Sequence, residues 1–417
     1  MANNLNRASS QKIKADLDNL NRYNRTPGAG ITRVLFTDEE IAGRGYIKRR
    51  MQEIGLVIRE DAMGNIFGSL EGSEPALPEV WTGSHIDTVL HGGEFDGTIG
   101  VIGGMEALRL IKESGLPHRR TLSVVVFTSE EPTRFGMGCL GSRALAGVLT
   151  REGLSQLIDK DGKNLESLLL ELGYDLHRFE SVKRTQGDVH GFVELHIEQG
   201  AVLESLKIGI GVVTTISAPT DLTIKVKGRQ GHAGATPMRM RSDALAAAAE
   251  IILKLEALAT AEENPSTVAT VGKLSVYPGS SNVIPGAAEF TIDIRSSDFE
   301  AKTKLLEQLG LYFDQLSSAR GVEIAVEMIC HDQPMKADVR IVKAIVAACN
   351  DLGVRYHSMV SGAYHDAMMI AQFAPIGMIF VPSRGGISHD PQEWSDYSDI
   401  ATGTDILAET LLQMSKE

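Results

Sequence analysis

Apolar residues along this chain change their period several times, and each change marks an element. Leu122–Thr128 reads LSVVVFT, an unbroken apolar run rich in β-branched residues and short enough for a strand buried on both faces. EVWTGS at 79–84, GFVELHI at 191–197 and IGMIFVP at 376–382 are similar runs. Between them, residues 38–54, 97–114 and 400–414 have helical spacing, and Thr37-Asp-Glu-Glu opens the first of these as a capping signature. Strands alternating with helices predict an α/β fold, an open and mostly parallel sheet with helices on both faces.

The pattern changes between residues 215 and 328. TDLTIKVKG at 220–228 alternates with period two, as a half-exposed strand does. An Ala-rich helix follows from Ser242 to about Ala261, capped by Ser242 or Asp243. Strands at 267–277 and 286–295 flank the turn PGSSNVIPG. A helix at 298–318 and a strand at 321–328 complete a β-α-β-β-α-β order, the split βαβ arrangement. Residues 215–328 therefore read as a domain inserted into a discontinuous one made of 1–214 and 329–417. The length agrees, since 417 residues exceed the roughly 250–300 at which single cores stop growing.

Composition removes several function classes. The formal net charge of −13 disfavours a general binder of nucleic acid or of anionic membranes. Cys139, Cys330 and Cys349 are scattered and form no Cys-x-x-Cys pair, so any metal falls to His and carboxylates. The polar start and the lack of an apolar run of about 20 residues predict a cytoplasmic protein without a membrane partner.

Polar residues cluster where the apolar runs end. His85 closes EVWTGSH, at the strand end where open α/β sheets place their sites. Asp87 then either orients the His85 imidazole as a ligand or forms a loop salt bridge with it. Asp96, just before a helix, serves either as its N-cap or as a carboxylate bridging two metals. LSVVVFT runs into Glu130 and Glu131, adjacent acids whose burial demands a positive partner. A metal is one such partner and Arg134 is another; the metal reading fits the pair better. His196 sits near the end of GFVELHI, and His389 follows a Gly-Gly loop beyond IGMIFVP. One such His is ordinary, but three of them with Asp96 and the Glu pair at strand ends suit borderline cations. The chain has no Gly-x-Ser-x-Gly elbow, which argues against a covalent nucleophile. In the inserted segment, Arg295 can clamp a carboxylate beside Asn282, and His232 can donate to an oxyanion; turn chemistry and a surface cation explain the same spacing.

Taken in order, GSHIDTVLHGGEFDG, SEEPTRFG, ELHIEQGAVLE, GHAGATPM, SNVIPG, TIDIRS, SGAYHDA and FVPSRGGISHDP resemble the hydantoinase/carbamoylase-type amidases over nearly the whole chain. That group lies within the dinuclear metallopeptidases and aminoacylases. The resemblance implies two divalent ions per subunit, zinc or manganese. His85 and His196 would serve one ion, Glu131 and His389 the other, with Asp96 between them and Glu130 as general base. His196 stands where related peptidases usually carry an acid, which points to ureido cleavage. Gln199, His232, Asn282 and Arg295 match substrate-binding positions, and His232 would also assist catalysis. The resemblance further implies a homodimer, with the inserted domain serving dimerisation and as a lid. His232 would then reach the partner subunit's active site.

Within the family, SEEPTRFG and the Tyr364 of SGAYHDA resemble the ureidoglycolate amidohydrolases. A Tyr at this point fills space and offers a hydroxyl, which suits a small hydroxyl-bearing substrate. The expected reaction is hydrolysis of the ureido C–N bond of a small ureido acid, ureidoglycolate first, with release of ammonia and carbon dioxide. N-carbamoyl-L-amino acids and allantoate are the alternatives, and a dipeptidase or aminoacylase ranks below them. A binding protein on a decayed hydrolase fold would lack the base or a ligand, and every position is filled.

Overall fold

The computed structural model describes residues 5–417. Two compact units divide the chain. The first holds the chain up to Thr214 together with Ala337–Met359 and His365–Glu417; the second holds Thr215–Lys336 and Val360–Tyr364. The expected boundary after residue 328 falls too early. The strand Glu323–His331 keeps pairing with Ala218–Lys227 as far as His331 opposite Thr220, so residues 329–336 stay with the second unit.

Four parallel strands form the centre of the first unit's sheet, in the order Leu122–Phe127, Glu79–His85, Val189–Ile197 and Ile376–Val381. Antiparallel strands flank them, Ile66–Leu70 with Val57–Glu60 on one side and Ile210–Ile216 on the other. The unbroken apolar runs follow from this placement, because a central parallel strand is covered on both faces. On one face Val124, Val126, Leu195 and Ile379 pack with Leu17, Ile102, Ile345 and Leu411 from the helices Ser10–Leu20, Thr98–Ser114, Val339–Asp351 and Tyr397–Ser415. Aromatic pairs mark the other face, with Phe127 on Phe192 at 5.6 Å and Trp81 on Phe373 at 6.3 Å between ring centroids.

The helix Asp38–Ile54 starts where its capping signature predicts, but by another device. Thr37 Oγ1 donates to the Val34 carbonyl, and Glu40 accepts the Phe36 N–H while pairing with the buried Arg44.

The second unit is an antiparallel sheet in the order Leu274–Tyr277, Ala287–Ser296, Ala218–Lys227, Glu323–His331. The strand expected over 267–277 is broken at Val271-Gly272-Lys273 into Val268–Thr270 and Leu274–Tyr277, both paired with Ala287–Ser296. Helices Ala244–Ala261 and Phe299–Arg320 cover one face, where Leu222, Ile224, Val226, Phe290 and Ile292 meet Ile251, Leu305 and Leu309. Asp243, one of the two residues expected to cap the first helix, accepts the Leu245 and Ala246 N–H groups. No helix among the described residues is long and apolar enough to cross a membrane.

Candidate metal centre and active site

The polar ends of the parallel strands converge in the first unit. His85 is the last residue of its strand, and its Nδ1 bonds the Asp87 carbonyl at 2.9 Å, which leaves Nε2 free to face Asp96. His196 repeats the device, with Nδ1 on the Ile197 carbonyl at 2.9 Å and Nε2 3.1 Å from Asp96 Oδ1. Of the two uses open to the Asp87 carboxylate, it does not take the one that would orient the imidazole by a hydrogen bond. It lies 3.7 Å from His85 Nδ1 and instead accepts the N–H groups of Glu130 and Glu131 at 3.3 and 3.1 Å. Ser129, with φ of 56°, turns the chain out of its strand to present those two amides.

Asp96 is the centre of the arrangement. Its Oδ1 faces His85 and His196 at 3.9 and 3.1 Å, and its Oδ2 lies 3.0 Å from His389 Nε2. Glu131 Oε1 is 3.3 Å from the same His389 nitrogen. Two ligand-competent triads therefore share one carboxylate, His85–Asp96–His196 and Asp96–Glu131–His389. The N-cap alternative for Asp96 falls, because Gly97 occupies that position and no side chain caps the helix. Gly97 is required twice over: its φ is +65°, and a Cβ there would lie 2.3 Å from His85 Nε2.

The electrostatics ask for cations. Asp87, Asp96, Glu131, Glu194, Asp366 and Glu393 are all buried, and Glu130 is nearly so, with its side chain 13% exposed. No Lys or Arg forms an ion pair with any of them among the described residues. Arg134, the alternative partner for the Glu pair, binds Asp159 and the Leu35 carbonyl instead. Burial, then Glu131 and Asp366, push the Glu130 carboxyl well above its usual range, and burial with Asp96 brings Glu131 to about 8. His389 rises to about 9, first through its bond to Asp96. Glu130 Oε2 lies 3.8 Å from His85 Nε2, so the proposed base borders the first triad.

Gln199 Nε2 donates to Asp96 Oδ2 at 3.0 Å and to Ser388 at 3.2 Å, while its Oε1 is buried without a hydrogen-bond partner. In the second unit, His232 pairs with Val283 across a two-residue ladder, and the Asn282 carbonyl accepts the Ala233 N–H. The same fold thus brings His232 and Asn282 together. Arg295 lies apart on the strand Ala287–Ser296; its Nε and Nη2 edge grips Asp293 at 3.0–3.2 Å and its Nη1 donates to the Gly362 carbonyl, two residues before Tyr364.

Sequence reading missed two groups. Glu393 accepts the Phe95 and Asp96 N–H groups and the Ser388 hydroxyl, and it fastens the Asp96 loop to the His389 loop. Nothing in its spacing announces this, because its partners lie 298 and 297 residues away. His365 packs its ring on His196 at 4.5 Å and forms a third group with Glu194 and His196. SGAYHDA contained the signal, a buried His beside an acid, but only Tyr364 drew a reading.

Residues 76–413 match the model of peptidase family M20/M25/M40. The chain belongs to that family. Among M20 relatives, ureidoglycolate hydrolase of Oryza sativa subsp. japonica is 41% identical over 97% of this chain and 85% of its own length. N-carbamoyl-L-amino-acid amidohydrolase of Paenarthrobacter aurescens is 38% identical, over 99% of this chain and 100% of its own length. The crystal structure of AtUAH in complex with glyoxylate superposes with a TM-score of 0.86 at 38% identity, over 99% of each chain. This M20 member is accordingly a hydrolase of carbon–nitrogen bonds other than peptide bonds, in the hydantoinase/carbamoylase group. M20 amidohydrolases depend on metal, and the paired triads around Asp96 fit divalent cations in donor type, spacing and charge.

Proposed function

We propose that the chain hydrolyses the ureido C–N bond of a small ureido acid, ureidoglycolate in the first place, with two divalent cations, zinc or manganese, per subunit. The observation that supports a paired centre is the geometry of Asp96, one oxygen toward His85 and His196 and the other toward His389, with Glu131 beside that His. Bound cations would lower the pKa of a water and polarise the ureido carbonyl. Glu130 accepts the proton of that water at its carboxylate and returns it to the leaving nitrogen, the two halves of general acid–base work. Gln199 Oε1, buried and open, accepts an N–H of the ureido group. Arg295 recognises the substrate carboxylate, with Asn282 as a further contact, and His232 donates to the developing oxyanion.

Ureidoglycolate ranks first because a relative of that name matches at 41% identity and because Tyr364 lies in the segment tied to Arg295 through Gly362. N-carbamoyl-L-amino acids rank second, on the 38% identity of the relative so named. The deciding experiment is ammonia release from ureidoglycolate, allantoate and a panel of N-carbamoyl amino acids, with protein loaded separately with manganese and zinc. Faster turnover of any N-carbamoyl amino acid than of ureidoglycolate overturns the first ranking.

A homodimer is part of the reading. The strand Glu323–His331 forms an edge of the second unit's sheet and exposes Val326, Met328 and Ile329 at 48, 54 and 62%. An exposed apolar edge strand is a template for pairing with another copy. Met328→Glu should shift the protein from dimer to monomer in sedimentation velocity, and a monomeric wild-type protein ends this reading.

A further inference from the structure

A cavity of about 680 Å³ in the first unit shares none of its lining with the candidate ligands. Its volume lies within the roughly 300–1,000 Å³ of small-molecule sites. Its charges are unbalanced in a specific way. Three carboxylates line it, and each is already engaged. Asp61 accepts the Met63 and Asn65 N–H groups and the Asn65 side chain, Asp175 caps the His177 N–H, and Glu60 pairs with Lys48 at 3.0 Å. Among the described residues, two guanidinium groups of the lining, Arg178 and Arg184, have no carboxylate partner, and a third, Arg59, has a long one. Among the described residues, the Arg184 guanidinium donates only to the carbonyls of Ser181, Val182 and Lys183. Arg178 is exposed and forms no ion pair among the described residues. Arg59 stacks 3.6 Å over Phe67 and reaches Glu79 only at 3.4 Å. Burial, with the nearby Arg184, holds the Arg59 guanidinium below its usual range against the pull of Glu79. Such a cationic excess stands out in a chain of net charge −13. Phe36 and Tyr174, packed at 6.0 Å between ring centroids, add aromatic lining.

We propose that this cavity is a second, non-catalytic binding site for a small organic anion, a carboxylate or phosphate on an apolar or aromatic body. The guanidinium groups of Arg59, Arg178 and Arg184 take the anionic head, since planar forks match carboxylate and phosphate oxygens. Phe36 and Tyr174 take the body. The wall connects to the catalytic strand end. Asp61 holds the Asn65 side chain, whose Oδ1 accepts the Thr128 N–H at 3.0 Å, and Arg44 of the same wall donates to Thr128 Oγ1 at 3.0 Å. Thr128 lies two residues before Glu130, so occupancy of the cavity is expected to change kcat more than KM.

The test titrates phenyl phosphate and, separately, phenylacetate into the metal-loaded full chain by calorimetry, the two arms separating phosphate from carboxylate ligands. One saturable site is expected for at least one probe. Its affinity should fall at least tenfold in the Arg59→Gln/Arg184→Gln double variant. The exposed single variant Arg178→Gln, which should fold and turn over normally without probe, should weaken it severalfold. Absence of saturable binding by both probes overturns the proposal, as does equal affinity in wild type and both variants. Binding abolished by His389→Ala but not by the Arg variants overturns it too, because the anion then sits at the metal centre. In turnover assays the bound probe should shift kcat in wild type, with the half-effect at a severalfold higher probe concentration in Arg178→Gln; purely competitive inhibition with the same inhibition constant in that variant also overturns the site.

Discussion

The two units hold their candidate functional residues in opposite ways. In the first, His85, Asp96, Glu131 and His196 are at most 8% exposed, and each sits at or just beyond the end of a covered parallel strand or at a helix start; His389, on a loop with half of its side chain exposed, is the exception. Backbone carbonyls, backbone amides and the Glu393 carboxylate hold them in place. In the second, His232 and Asn282 are exposed on a two-residue ladder and its turn, and Arg295 is half-buried on the larger sheet. The difference teaches where fixed geometry is needed. Metal ligands must meet within tenths of an ångström, and only a densely bonded core supplies that; substrate contacts can tolerate adjustment.

The sharpest way to break this contrast is to remove its centre. Asp96→Ala should lose both ions after desalting, read by metal analysis, and cut turnover by on the order of 10³ or more, because both triads share that carboxylate. Full metal content in this variant would mean that Asp96 bridges nothing. Glu130→Gln should keep its metal and lose about 10²–10⁴-fold in kcat, the range of general acid–base catalysis. Near-normal kcat would move the base elsewhere.

Stability offers the next contrast. Phe290→Ala opens a cavity in the second unit's small core and should cost about 3–5 kcal/mol in thermal or urea unfolding. Metal content at room temperature should stay as in the wild type; a parallel loss of metal would show that the units do not stand independently. The smallest expected effect is Arg295→Ala. It should raise KM for a carboxylate-bearing substrate on the order of 10–100-fold, about what a hydrogen-bonded charged contact supplies. An equal loss on an uncharged amide analogue would sink the clamp assignment and leave Arg295 as the partner of Asp293 alone.

Much of the first unit was legible because local chemistry carried it. The run LSVVVFT must be covered on both faces, and two adjacent acids at its end need a positive neighbour wherever the chain goes. The split βαβ unit was legible from alternation in TDLTIKVKG, where Leu222, Ile224 and Val226 are buried and Lys225 and Lys227 exposed. The single strand expected over 267–277 failed at Gly272, whose lack of a side chain weakens a strand interior.

By itself, then, the amino-acid order determined the element types, the inserted unit within about eight residues of its far boundary, and which side chains are candidates for metal binding and acid–base work. Tertiary structure decided the partners. It chose the carbonyl of Asp87 over its carboxylate for His85, assigned Arg134 to Asp159 rather than to the Glu pair, and turned Asp96 from a helix cap into the carboxylate between two triads. The reason is distance along the chain. Asp96 meets His196 and His389 across 100 and 293 positions, and Glu393 holds the Phe95 amide across 298, contacts that no local pattern encodes and that only the packed sheet creates.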